Sequence, residues 1–168
     1  MAFSEVDIKS LSINPFVMLN DEWGLLSAGD ASRYNTMTIA WGGFGVMWHK
    51  PTITVVVRPQ RYTYEFVEKL DLFTVTFFPD EYRKALQLLG TKSGRVCDKI
   101  TESGLTPLFV DGTVAFEEAH TVFVCRKLHG GQQLDASKFV DLSLDSAIYP
   151  DKDYHYFYMG EVLKVLAK

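Results

Sequence analysis

The stretch that most restricts the possible folds is RYNTMTIAWGGFG, residues 33–45. Its first half alternates as a strand. Thr36, Thr38 and Ala40 share one face, and Met37, Ile39 and Trp41 the other. Three glycines then fall within four residues, around Phe44. A strand with one small, hydroxylated face that then sheds its side chains suits a flat, bulky body lying against its backbone. The competing explanation is a polar face turned to solvent on an antiparallel sheet.

Strand signals dominate the rest of the chain. FVML (16–19) and WGLLSA (23–28) flank Asn20 and Asp21 and read as a hairpin. The strand at 36–41 is followed by ITVVVR (53–58), apolar enough to be covered on both faces. LFTVTFF (72–78) alternates, grouping Phe73, Val75 and Phe77. AHTVFVCRKL (119–128) and HYFYMGEVLKV (155–165) are the last long strands.

Helices are few and short. TYEFVEKL (63–70) opens on a Thr able to cap. PDEYRKALQLLG (79–90) starts at a Pro, spaces Tyr82, Ala85, Leu86 and Leu89 helically, and stops at Gly90. DKITESG (98–104) suits one or two turns. Irregularly spaced strands with short helices between them indicate an antiparallel barrel or sandwich, not a βαβ sheet. The polar, turn-rich segment 128–154 is expected over the surface, as a cover for a site.

At 168 residues the chain is expected to be one domain, 1–168, without repeats or linkers. A net charge of −4 argues against a nucleic-acid partner. No apolar run approaches the roughly 18 residues of a membrane span, and MAFSEVDIKS lacks the pattern of a signal peptide. A soluble, cytoplasmic protein is therefore expected. Cys97 and Cys125 suggest neither a disulfide framework nor a zinc site, and Cys125, inside TVFVCRK, reads as a small buried hydrophobe. The four histidines show no metal-ligand spacing, and no nucleophile elbow, Walker loop or dinucleotide fingerprint is present.

Two basic segments are better candidates. In RPQRYT (58–63) a buried strand ends at Arg58 and reaches a helix start at Thr63, which brings hydroxyl, guanidinium and free N–H groups together for a phosphate. In TKSGR (91–95), Lys92, Ser93 and Arg95 flank the flexible Gly94. An Arg in a turn is more often a solvated or ion-paired side chain, so each segment alone is weak. Beside a strand open to a flat ligand they gain weight. A flavin ring is such a ligand, because main chain with small side chains can hydrogen-bond its polar edge.

The ordered motifs N-T-M-T-I-A-W-G-G-F-G, W-H-K-P, V-R-P-Q-R-Y-T-Y-E-F, F-T-V-T-F-F, E-Y-R-K-A-L, G-T-K-S-G-R, D-K-I-T-E-S-G-L-T-P and Y-H-Y-F-Y-M-G-E-V resemble the flavin reductase-like proteins, in particular the flavoredoxin-type branch of FMN-binding split barrels. The resemblance spans roughly residues 14–165. It implies a mainly β, Greek-key split barrel with a few short helices, a homodimer, and non-covalent FMN. By that likeness Asn35, Thr36, Met37 and Thr38 lie along the isoalloxazine edge, with Ala40 and Trp41 close by. Arg58, Arg61, Tyr62, Thr63, Lys92, Ser93 and Arg95 serve the ribityl phosphate. His155 matches a histidine near the flavin or nicotinamide site, and a polar residue at a strand start is its plainer reading. Three features depart from the pattern: Ala40 stands where many relatives carry Ser, His49 where Asn is common, and 128–154 matches loosely.

The implied activity is transfer of electrons from NADH or NADPH through flavin to free flavin, a partner protein or a small acceptor. Two rivals remain open: an FMN electron carrier without a nicotinamide pocket, and a small barrel that binds single-stranded nucleic acid through aromatics and RPQR.

Overall fold

The computed structural model describes residues 2–168. The elements are β1 (Ser4–Glu5), α1 (Pro15–Val17), β2 (Gly24–Gly29), β3 (Tyr34–Ile39), β4 (Gly42–Met47), β5 (Lys50–Val57), α2 (Tyr62–Lys69), β6 (Leu72–Phe77), α3 (Arg83–Thr91), α4 (Lys99–Ser103), β7 (Pro107–Val110), β8 (Thr113–Phe116), β9 (Thr121–Gln133), α5 (Leu142–Ile148) and β10 (Tyr156–Ala167). Seven strands form one antiparallel path in the order β3-β2-β6-β9-β10-β5-β4, with β1 on β10, and β7 and β8 make a separate hairpin.

That order forces the sheet to curl. β3 and β4 are its two outermost strands, yet only Ala40 and Trp41 separate them in sequence. Six inter-strand spacings in a flat sheet cover about 29 Å, whereas Ile39 to Gly42 can reach about 11 Å at most. The edges must therefore meet at one corner and part along the remaining seam. The result is a split barrel, with the non-sequential neighbours β6–β9 and β10–β5 giving the Greek-key path.

The period of two sorts the side chains into two cores. Leu26, Val55, Phe73, Phe77, Phe123 and Tyr158 fill the barrel. Leu25, Phe78, Leu86, Leu89, Phe116 and Val124 pack outside it, under α3, α4 and the β7–β8 hairpin. Neighbours such as Leu25 and Leu26, or Phe123 and Val124, thus belong to different cores. Cys125 is fully buried in the barrel, as expected, and burial pushes its thiol pKa well up.

Several expectations need correction. Residues 16–19 are helical, because the Asn14 side chain accepts from the Phe16 and Val17 amides and Pro15 starts the turn, so no hairpin surrounds Asn20 and Asp21. Thr63 is not a cap: Arg61 holds that position, and Thr63 is buried inside the first turn of α2. Gly90 does not stop its helix, which runs to Thr91; a Cβ there would lie 3.1 Å from Thr38 Cβ, so glycine lets α3 approach β3. The strand at 53–58 is fully covered on its Val55 and Val57 face only, with Val56 half-buried. GGFG is itself edge strand β4, and the polar segment 128–154 contains the end of β9 and helix α5.

Gly160 faces the packed barrel, where an added Cβ would lie 2.5 Å from Phe73 Cζ and 3.0 Å from Cys125 Cβ. Gly160→Ala is expected to destabilise the protein by about 1–3 kcal/mol through overpacking, read as a lowered urea midpoint at unchanged slope.

Candidate functional site

The seam left by the barrel opening carries a run of three neighbouring lobes. The middle one, about 230 Å³, is walled by Met37, Thr38, Ala40 and Trp41 from the β3 side and by Val56, Arg58 and His155 from the facing side. It shares Met37 and Arg61 with a smaller lobe of about 120 Å³, lined by Tyr62, Thr63, Lys92, Ser93 and Lys99. On the other side it shares Trp41, Val56 and His155 with an outer lobe of about 340 Å³, which adds Gly42, Gly43, Leu134, Tyr149 and Phe157. Together the lobes fall within the size of small-molecule sites, about 300–1,000 Å³.

β3 borders the middle lobe with its edge. It pairs with β2 on one side and with no strand on the other, so its outer peptide groups have no sheet partner. Its small face is occupied by protein: Thr38 Oγ1 donates to Leu86 O on α3, and Thr36 Oγ1 donates to Leu26 O at 3.2 Å. The small residues therefore admit α3, and the open edge is what meets the cleft.

The smaller lobe is cationic. Arg61 donates to Gly90 O at 2.6 Å, and burial followed by the neighbouring Arg58 lowers its pKa. Lys99 is 3% exposed, and its Nζ donates to Leu89 O at 2.9 Å and Lys92 O at 3.1 Å. Burial, and then Arg61, bring its pKa down to about 8. Neither cation has a carboxylate partner among the described residues. Buried charges are ordinarily paired, so this lobe is complementary to an anion.

The middle and outer lobes meet at His155. Tyr149 Oη lies 2.7 Å from its Nδ1, and its ring centroid is 5.3 Å from that of Trp41. Burial, reinforced by Arg58, brings its pKa down to about 4, so it is uncharged at neutral pH. Arg58 in turn holds the returning chain: Nη1 donates to Asp153 Oδ2 at 2.6 Å, Nη2 donates to Ile148 O at 2.9 Å, and Gln60 also reaches Asp153.

Of the residues singled out in the sequence, Met37, Thr38, Ala40, Trp41, Arg58, Arg61, Tyr62, Thr63, Lys92, Ser93 and His155 line the lobes. Three stand apart from the walls. Asn35 is buried behind the cleft and donates to Thr63 Oγ1 at 2.8 Å, tying β3 to α2. Thr36 is buried against β2. Arg95 pairs with Glu65 at 2.6 Å and stacks over Tyr62 at 5.0 Å. Lys99 was missed, because a single lysine in a short helix carries no local signal of its burial. Tyr149 and Phe157 were missed because only the fold of 128–154 brings them to the seam.

A family model described as flavin reductase-like domain matches residues 22–167. No curated protein matches the chain. Among solved structures, an FMN-binding domain of a flavin reductases-like enzyme from Shewanella baltica OS155 superposes with TM-score 0.71 at 17% identity, covering 99% of this chain and 77% of that one. Flavoredoxin from Methanosarcina acetivorans gives 0.67 at 23% identity, with coverages of 88% and 68%. The Streptomyces globisporus C-1027 NADH:FAD oxidoreductase gives 0.65 at 13% identity, with coverages of 88% and 76%. These likenesses show a shared fold.

Arg58→Gln removes a cation that depresses His155. The His155 ring is expected to titrate above its present value of about 4, moving toward the ordinary 6.5, as followed by NMR of the ring protons.

Proposed function

The chain belongs to the flavin reductase-like domain family, and from that premise we propose that it is an FMN-binding flavoprotein of the flavoredoxin type that acts as an NAD(P)H-dependent flavin reductase. The observation that carries this reading is the pair Arg61 and Lys99, two cations set into one lobe without an acid partner among the described residues, next to the open edge of β3. An anionic tail and a flat heterocycle are what that pairing fits.

FMN, when bound, supplies the two-electron chemistry. The chain's residues bind and orient. Arg61 and Lys99, aided by Lys92, Ser93 and Thr63, would take the phosphate; Lys92 also pairs with Glu102. Arg58 would act through Asp153 and Ile148 O, holding Tyr149 and His155 at the seam, and Arg95 through Tyr62. Met37, Trp41 and Val56 would shield the ring from water, and the outer edge of β3 would offer main-chain groups to its polar rim. Asn35 and Thr36 would keep that edge in place. The outer lobe, walled by Trp41, Tyr149, Phe157 and an uncharged His155, has room for a nicotinamide ring or a planar acceptor. A protein acceptor would have to approach from this side. No residue is required as acid or base, since hydride transfer needs neither.

Residues 1–168 are read as one such unit. Self-association is read from β4, an edge strand exposing Val46, Met47 and the following Trp48, with open space beside Gly43 and Gly45. The two cysteines are unpaired, which fits a reducing, cytoplasmic setting. No helix among the described residues is long and apolar enough to cross a membrane.

The purified protein is expected to bind FMN and show flavin absorbance at about 450 nm. Anaerobic NADH or NADPH should bleach that band within seconds. A band that persists would indicate an electron carrier, and no flavin binding at all would sink the reading. Arg61→Gln should weaken FMN by about 10–100-fold, the loss of a charge-assisted hydrogen bond, and light scattering should report a dimer.

A further inference from the structure

We propose that Lys99 makes the cationic lobe selective for a dianionic phosphate monoester, and that filling the lobe is coupled to uptake of one proton by its amine. The inference rests on the FMN reading above and concerns how the phosphate end is discriminated and released.

The geometry separates two duties of one side chain. Lys99 sits in the first turn of α4 and reaches back to the end of α3, where its Nζ serves the Leu89 and Lys92 carbonyls. Those two bonds use two N–H groups, which a neutral amine also has. The third proton is the one that titrates. With it, the amine has a spare donor and a positive charge for the lobe it lines; without it, the same position carries a lone pair.

The surroundings make that proton easy to lose. On its own helix, Asp98 is occupied by Thr101, accepting from its amide at 3.1 Å and its hydroxyl at 2.6 Å, and Glu102 pairs with Lys92. From the start of α2 come its cap Arg61, of like charge, and its first residue Tyr62. From the loop after α3 come Lys92 and Cys97, the latter a smaller influence that favours the charged amine and opposes the loss. Burial and Arg61 hold the ammonium at a pKa of about 8, so it is charged at pH 7 and mostly neutral at pH 9. A bound dianion supplies the missing counter-charge and raises that pKa. Between the free and bound values, binding takes up a proton and weakens as pH rises. Below the free value the amine is already charged and affinity is level. A phosphate monoester stays dianionic across this range, since its second pKa is about 6. Riboflavin, which lacks the phosphate, has no such linkage.

The test is fluorescence titration of the full chain with FMN and with riboflavin from pH 7 to pH 9.5. For FMN the dissociation constant should rise by up to about tenfold per pH unit above pH 8, while that for riboflavin stays level. Lys99→Arg, whose guanidinium keeps its proton throughout this range, should flatten the slope. Lys99→Met should weaken FMN at pH 7 and also flatten the slope, with unchanged riboflavin binding as the check on its fold. Cys97→Ser should keep the slope. A slope that survives in Lys99→Arg, that vanishes in Cys97→Ser, or that riboflavin shares overturns the proposal while leaving FMN binding intact. Failure to bind either flavin overturns both.

Discussion

The connection between Ile39 and Gly42 constrains everything else. Two residues join the outermost strands of a seven-strand path, so the sheet has to roll up until those strands touch. Their pairing cannot then continue, because both edges diverge from the shared corner. The barrel is closed by covalent linkage at one end and open along its side. An opening of this kind exposes main-chain groups that hydrogen-bonding demands be satisfied by something. In this protein it also exposes the β3 edge to a cleft instead of to bulk solvent.

Electrostatics gives the cleft a direction. At one end are Arg61 and Lys99, cations held in place by main-chain carbonyls at the close of α3. At the other are Trp41, Tyr149, Phe157 and an imidazole whose charge is suppressed by burial. Several other basic groups nearby are already neutralised: Arg95 by Glu65, Lys92 by Glu102, Arg58 by Asp153. A ligand therefore meets a gradient from uncompensated positive charge to an uncharged aromatic wall. That polarity would orient an amphipathic molecule with an anionic tail before any specific contact forms.

The Arg58–Asp153 pair shows how a basic motif can serve a site without facing its anion. Its guanidinium bridges the end of β5 to the chain returning into β10 and lies 5.1 Å from the Tyr149 ring centroid. The pair is partly buried, and losing one partner strands the other, which costs more than an exposed ion pair does. The segment between β9 and β10 is thus part of the wall of the site, not a loose cover.

What the sequence determined by itself was the material of each element. Alternation predicts strands over 36–41, 72–78 and 119–128, which the fold places at 34–39, 72–77 and 121–133; the spacing of Leu86 and Leu89 specifies α3, and ordered motifs along most of the chain point to the family. The basic turns 58–63 and 91–95 stand out in it as candidate anion-binding segments. Tertiary structure decided which groups in those turns remain free. Arg58 and Arg95 look equivalent to Arg61 in sequence, but Asp153 and Glu65 claim them from distant positions, and Lys99 joins the lobe only through burial against the end of α3. It also decided that the small face of β3 accommodates a helix and that its edge lines the cleft. Periodicity reports which residues share a face; whether that face meets protein, solvent or ligand depends on partners far away in the chain.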